Sequence, residues 1–392
     1  MTSGFTDFTA RLCAFMAASC PAPAGSDGPG SSRGGRARHE LAGDGRENLG
    51  RFALELFALQ FTHNPAYRRF CESRGVSPET ISQWTQLPAM PTAAFKELEV
   101  TCLSLERRAR VFHSSGTTEQ RPSRHWHSLD SLAIYERSVW PWFWLNVISE
   151  LNPPKPHLQL VILTPPTEQS PHSSLVHMFD IVRRQCGAPK SAFLASVAGD
   201  GAWALDCDGT QRALRAACDT ATPVLLLGTA FSFVHLLDVL IAQDFRFALP
   251  PGSRVLETGG YKGRSRSLPR AVLQALIAER LGIPPAQIVC EYGMCELSSQ
   301  AYDLAVNPSR ITDHASRVLH FPPWAHAQVV SPETGDAVAD GETGLLRVFD
   351  LANVFSVVAV QTEDLGIRRG DGFELIGRAH FAEARGCSLM AV

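Results

Sequence analysis

Five short stretches of the chain gather side chains able to hold a charged, ring-containing ligand. The first is His113-Ser114-Ser115-Gly116-Thr117-Thr118, with four hydroxyls and a glycine in five positions. Backbone N–H groups beside Gly116 can approach a phosphate closely, and the hydroxyls of Ser114, Ser115, Thr117 and Thr118 add contacts. A polar turn would use the same residues. It is not a Walker A loop, because no GxxxxGK[ST] occurs in the chain. The second stretch is Glu257-Thr258-Gly259-Gly260-Tyr261-Lys262-Gly263-Arg264-Ser265-Arg266. Paired glycines let a flat ring or a phosphate lie against the backbone, and Lys262, Arg264 and Arg266 can neutralise a polyphosphate. A glycine turn with a solvated basic rim is the plainer alternative. The third, Glu291 to Gln300, offers Tyr292 to stack a base, Gly293 to admit it and Glu296 to hold Mg²⁺. In the fourth, Thr362 to Gly366, Asp364 can bridge two ribose hydroxyls. The fifth is Gly377-Arg378, followed by Arg385-Gly386-Cys387. Each of these alone also fits a turn or a helix cap.

The elements that must carry these loops alternate between strand and helix beyond residue 110. His157–Leu163 is a continuous apolar run of the kind that forms a buried strand, and Pro223–Leu227 is another. A helical pattern follows the second through Phe231, Val234, Leu237 and Leu240. Arg254–Glu257 and Gln287–Glu291 are further strands, separated by a helix over Leu268–Leu281. Ala327–Val330, Gly344–Asp350 and Phe355–Gln361 read as strands of a later, more antiparallel part. Such alternation predicts an α/β protein with ligand sites beyond the carboxyl ends of its strands. Residues 1–48 read as an amphipathic helix (Phe5, Phe8, Leu12, Phe15, Met16) and a disordered Gly/Pro/Ser-rich linker. Residues 49–110 then form a helical cap cut short by Pro65, Pro78, Pro88 and Pro91. A GxSxG match at residues 30–34 lacks the flanking strand and helix of a nucleophile elbow and is read as chance.

Composition narrows the class further. The 392 residues carry 36 basic and 39 acidic side chains, which excludes a nucleic-acid binder working through bulk positive charge. No apolar run approaches the ~18 residues of a membrane span, and the N-terminus lacks the basic n-region of a signal peptide. The ten cysteines form no CxxC pair and no zinc set, which fits a reducing, cytoplasmic setting with mostly buried thiols. His125-Trp126-His127 reads as a strand edge rather than a metal site. Val139 to Trp144 and Phe231 to Phe233 are apolar enough to line an acyl pocket, though such stretches are more often core.

Taken in order, SSGTT, a GG loop, YGxxE, TxD and GR resemble the adenylate-forming (acyl-activating) superfamily. The chain is more closely similar to the LuxE-type acyl-protein synthetases of that superfamily. The resemblance includes residues 64–71 (Asn-Pro-Ala-Tyr-Arg-Arg-Phe-Cys), 88–96, 163–174, 227–231 and 257–266, and spans roughly residues 50–390. It implies the large N-terminal domain of an adenylate-forming enzyme, with a helical N-terminal cap and without the usual C-terminal lid. The adenylation core would occupy 111–377, and 378–392 would be a short tail. It also implies that Ser114, Ser115, Gly116, Thr117 and Thr118 hold the ATP phosphates, with Gly259 and Gly260 on the adenine side. Tyr292 and Gly293 would stack the base, Glu296 would carry Mg²⁺, Asp364 would anchor the ribose, and Arg378 would contact ribose or phosphate. Lys262 is a further catalytic candidate. One position departs from the superfamily: Cys295 precedes Glu296 where threonine is usual, and a thiol is the weaker hydrogen-bond partner.

The chemistry implied is attack of a carboxylate, of the fatty-acid class, on the α-phosphate of MgATP. It gives acyl-AMP and pyrophosphate. Without a lid, the acyl group would pass to a protein thiol, for which Cys387 is the candidate, its thiolate favoured by Arg385. A reductase or other acyl-accepting protein would be the partner. Direct transfer to a small-molecule or carrier acceptor is the alternative, and a catalytically degenerate binding scaffold is a second.

Overall fold

The computed structural model describes residues 3–20, 37–114, 121–149, 158–259, 268–303 and 317–379. Helix α1 (Ser3–Ser19) buries Phe5, Phe8, Leu12 and Met16, the stripe its sequence spacing predicts. Its Phe15 stacks on Phe52, and Arg11 reaches Glu55 at 3.0 Å. Both partners lie on helix α2 (Ala37–His63). That helix begins well before residue 48, so residues 37–48 are helical where composition suggests linker. The physical reason is propagation: once Leu49, Phe52 and Leu56 are buried against the core, each extra turn upstream costs little. Helix α3 (Pro65–Glu72) starts on Asn64, whose side chain accepts from the Tyr67 N–H, with proline at the first helical position. Strand β1 (Met90–Pro91) and the short α4 (Ala94–Glu97) follow. The cap therefore contributes a strand to the main sheet rather than standing apart.

A hairpin of β2 (Arg110–His113) and β3 (Arg124–His127) leads into α5 (Leu129–Phe143). Then come β4 (Gln159–Ile162), α6 (Ser174–Cys186), β5 (Ala192–Phe193) and the small hairpin of β6 (Ala195–Val197) and β7 (Trp203–Leu205). The central alternation continues with α7 (Cys207–Asp219), β8 (Val224–Thr229), α8 (Ala230–Ala242), β9 (Arg254–Thr258), α9 (Arg270–Leu281) and β10 (Ile288–Tyr292). The last part is antiparallel: β11 (Ala301–Asp303), β12 (Leu319–His320), β13 (Ala325–Val330), β14 (Thr343–Asp350), β15 (Ala359–Arg369) and β16 (Gly372–Arg378).

Among the described residues one sheet runs β13-β14-β15-β16-β12-β11-β10-β9-β8-β4-β5, with β1 added alongside β15. Strands β4, β8, β9 and β10 are mutually parallel, so both of their faces are buried and β4 and β8 read as continuous apolar runs. Leu160, Leu225, Leu227, Leu256 and Val289 face a core shared with α1, α2, α5 and α6. Val161, Leu226, Val255 and Ile288 face a second core under α7, α8 and α9. The strands and helices expected over 157–291 thus appear within a residue or two of their predicted ends, and the later strands are antiparallel as expected. Val139, Trp142, Phe143 and Phe233 are core residues. His125 and His127 lie on a strand with both rings buried. Among the described residues no helix is long and apolar enough to cross a membrane.

Candidate nucleotide-binding site

The carboxyl ends of β8, β9 and β10 finish level with one another, because Thr229 pairs with Thr258 and Thr258 with Glu291. Two of the stretches singled out in the sequence begin at this edge, at Gly259 after β9 and at Tyr292–Gly293 at the end of β10. At the end of β9, Gly259 adopts φ +72°, and a Cβ there would meet open space. The turn therefore needs glycine for its backbone and leaves the surface above it clear.

At the end of β10, Tyr292 is buried against Phe373 and Phe321, with ring centroids 5.3 and 6.2 Å away. Its hydroxyl donates to Asp364 Oδ2 at 2.8 Å. Asp364 stands on β15 opposite Arg378 on β16, and the Arg378 Nε lies 3.6 Å from Asp364 Oδ1. The Arg378 side chain is 74% exposed and that of Asp364 13%. A bulge where β15 faces β14 aims Asp364, since Thr362 spends its hydroxyl on Leu346 O at 2.8 Å and accepts from the Asp364 N–H. Burial pushes the Asp364 carboxyl above the ordinary carboxylate value, while the Tyr292 hydroxyl and the Arg378 guanidinium pull it back. Tyr292, more than 70 residues before the other two in sequence, thus forms one contact group with Asp364 and Arg378, with an oxygen and a guanidinium on its solvent side.

Glu296 is buried, and its Oε2 accepts from the Cys295 thiol at 3.2 Å. Its segment is held from several sides. Asn353 donates to the Glu296 carbonyl at 2.9 Å, and His125 Nδ1 lies 2.8 Å from the Cys295 carbonyl. The N–H groups of Ser298 and Ser299 both donate to Asp350 Oδ2. Burial lowers His125 to about 4, so the ring is neutral and donates from Nδ1. A single carboxylate on a fixed turn suits Mg²⁺, which keeps waters and takes phosphate oxygens rather than an all-protein cage. Among the described residues no group of three or more His, Cys, Asp or Glu side chains is placed to hold a metal ion.

Ser114 closes the base of the hydroxyl-rich loop, its Oγ accepting from the Ser123 N–H at 2.9 Å. Of the other sequence candidates, Ser115, Gly116, Thr117, Thr118, Gly260, Lys262 and Cys387 lie outside the described residues, as do Arg264, Arg266 and the GxSxG match. Sequence reasoning passed over Thr258, Glu291, Asp350 and Asn353. The first two sit inside quoted motifs and could have been weighed there. Asp350 and Asn353 carry no local signal, because their role arises only when β14 packs beside the 295–300 segment.

A family model described as acyl-protein synthetase, LuxE, matches residues 38–391. The long-chain-fatty-acid–luciferin-component ligase of Aliivibrio fischeri is 24% identical over 357 residues, covering 88% of each chain. The protein of the same name from Vibrio harveyi is 23% identical over 343 residues, 85% of this chain and 84% of its own. Among solved structures, a 2-hydroxyisobutyryl-CoA ligase in its thioesterification state superposes with a TM-score of 0.61 at 15% identity, over 86% of this chain and 69% of that one. An open conformation of the same ligase gives 0.58 over 85% and 74%. At that identity the likeness establishes the fold, that of the large domain of adenylate-forming ligases.

Proposed function

Because the chain belongs to the LuxE acyl-protein synthetase family and is a ligase, we propose that it activates a carboxylic acid, of the fatty-acid class, with ATP. The acyl-AMP formed would then pass to a protein thiol. The observation that carries the first half is the Tyr292–Asp364–Arg378 group at the open edge of the parallel strands. A buried aromatic ring beside a glycine, a carboxylate with one oxygen still able to accept and an exposed guanidinium suit an adenosine phosphate. In this assignment Tyr292 and Gly293 shelve the base, with Gly259 and Gly260 beside it. Asp364 accepts from ribose hydroxyls, and Arg378 meets ribose or phosphate. Ser114, Ser115, Gly116, Thr117 and Thr118 cradle the phosphates, and Lys262 adds charge at the leaving pyrophosphate. Mg²⁺ on Glu296 would supply charge neutralisation to the phosphate oxygens.

The reaction asks little covalent work of the protein. The substrate carboxylate attacks the α-phosphorus, the bond to the bridging oxygen breaks, and pyrophosphate leaves with the electron pair. Catalysis is then positioning and electrostatic stabilisation. In the second half, the Cys387 thiolate attacks the acyl carbonyl and AMP leaves, giving a thioester that a reductase partner could consume. The test is acid-dependent exchange of pyrophosphate into ATP across a panel from short aromatic to long fatty acids. Long-chain acids should support it. Absence of exchange with every acid would end the assignment. Mass analysis of the protein after ATP and the best acid should place the acyl group on Cys387.

A further inference from the structure

Resting on that adenylation assignment, we propose that Glu291 is a positioning residue for the nucleotide: its carboxyl fixes the spacing between the Gly259 turn and the Tyr292–Gly293 shelf. Glu291 is buried at the end of β10. The sheet register sets Thr229, Thr258, Glu291 and Tyr302 in one row across β8, β9, β10 and β11. The two carboxyl oxygens have separate duties. Oε2 accepts a hydrogen bond from the Thr258 hydroxyl, one residue before Gly259. Oε1 lies under Gly293, where a Cβ on that residue would run into it. One side chain therefore braces both loops from below, and a Cβ at residue 293 would displace its Oε1 end.

The surroundings make the brace sensitive to pH. Tyr135 on α5 and Tyr302 on β11 are close enough to feel its charge, and the Glu257 carboxyl of β9, paired with Cys290, acts on it from the opposite face of the sheet. Among the described residues no basic side chain pairs with it. Burial, with Glu257 adding to it, lifts the Glu291 carboxyl to about 7, and the Thr258 bond holds it down against both. Ionised Glu291 accepts the Thr258 hydroxyl as a charged partner. Protonation weakens that bond and replaces a lone pair with a donor. The loop spacing, and with it the affinity for nucleotide, loosens as pH falls through 7.

The experiment measures MgATP binding by calorimetry at pH 6 and pH 8, on the full chain and on Glu291→Gln and Glu291→Ala. Glutamine keeps a carbonyl acceptor for Thr258 and does not titrate. The nucleotide's own titration is common to all three proteins and cancels in the comparison. The wild type should bind about five- to tenfold more weakly at pH 6 than at pH 8. Glu291→Gln should stay within about twofold between the two, and Glu291→Ala should bind about tenfold more weakly at both. Thermal melts check that each variant is folded, and the glutamine variant alone suffices if the alanine one is not. A wild type with flat binding, or a glutamine variant that keeps the wild-type pH dependence, overturns the proposal. If the protein binds MgATP as described but exchanges no pyrophosphate, the adenylation assignment fails and the brace stands. A wild type that binds no nucleotide overturns both.

Discussion

Replacing Tyr292 by phenylalanine isolates one hydrogen bond in the nucleotide site. The ring contacts with Phe373 and Phe321 survive, because phenylalanine keeps the same ring in the same slot. What is lost is the hydroxyl that donates to Asp364 Oδ2 at 2.8 Å. A buried hydrogen bond to a charged acceptor contributes about 1.5–3 kcal/mol. The remaining partner does not replace it, since Arg378 is 3.6 Å away and mostly in water, where an ion pair is worth under about 1 kcal/mol. Losing the donor also raises the Asp364 carboxyl further, because the Tyr292 bond now opposes the effect of burial. Asp364 is therefore both less well aimed and less fully ionised in Tyr292→Phe. In the proposed assignment Asp364 touches ribose before and during the reaction alike, so the loss is one of uniform binding. Converted at about 1.4 kcal/mol per tenfold, the KM for ATP should rise about 10- to 100-fold while kcat stays within about threefold. Pyrophosphate exchange at saturating acid, with ATP varied at pH 8, reads both constants. An unchanged KM for ATP would refute the reasoning, and so would a fall confined to kcat.

Burial holds His125, His177 and His326 each at about 4. The unfolded chain, with histidines near 6.5, binds more protons between those values, so stability is full above about 6.5 and drains away as pH falls toward 4. Each group can remove about 2 kcal/mol by pH 5, and urea midpoints at pH 7 and pH 5 should differ sharply; equal midpoints would contradict the burial of these rings. Cys387→Ser should keep acid-dependent exchange and lose the covalent acyl label, and a label retained on the serine variant would assign the acceptor elsewhere. Cys295→Thr puts a stronger donor beside Glu296 Oε2, now met by the thiol at 3.2 Å. It should raise the exchange rate about two- to tenfold, the worth of one improved hydrogen bond, and an unchanged rate would show that residue 295 does not touch the reacting groups.

What the sequence revealed and what it hid divide along a physical line. The parallel strands were legible because both of their faces are buried, so β4 and β8 lie in continuous apolar runs and β9 and β10 carry apolar stretches with Arg254, Glu257 and Glu291 set among them. The loops were legible because glycine and hydroxyl residues cluster just past those ends. Helix α2 was misjudged at its start, since Gly43 and Gly45 look like linker residues and only tertiary packing downstream carries the helix through them. The pairing of Tyr292 with Asp364 could not be read from spacing. It depends on β15 and β16 reaching β10 through β12 and β11, and on a bulge that turns Asp364 toward the tyrosine. Motif order suggested that these residues share a site, but only the sheet register specifies which oxygen meets which hydroxyl.

The site is built so that its functional groups make few contacts of their own and are placed by neighbours. The Glu296 side chain meets the Cys295 thiol, yet its backbone is fixed by Asn353, by His125 through the preceding carbonyl, and by Asp350 through the two serines that follow. Asp350 itself accepts four hydrogen bonds, from the N–H groups of Ser298, Ser299 and Ala352 and from the Ser299 hydroxyl. Ser299 Oγ also meets Ser138 Oγ, which accepts from Trp324 Nε1 at 2.8 Å, so the network ends in α5 and the apolar core. A carboxylate satisfied this fully is a rigid anchor rather than a reactive group, and burial still lifts it above the ordinary value. That division suits phosphoryl chemistry, in which reorganising a dipole during the reaction would cost part of the stabilisation it supplies. The buried network pays that cost once, on folding, and holds the backbone that carries Glu296 in place.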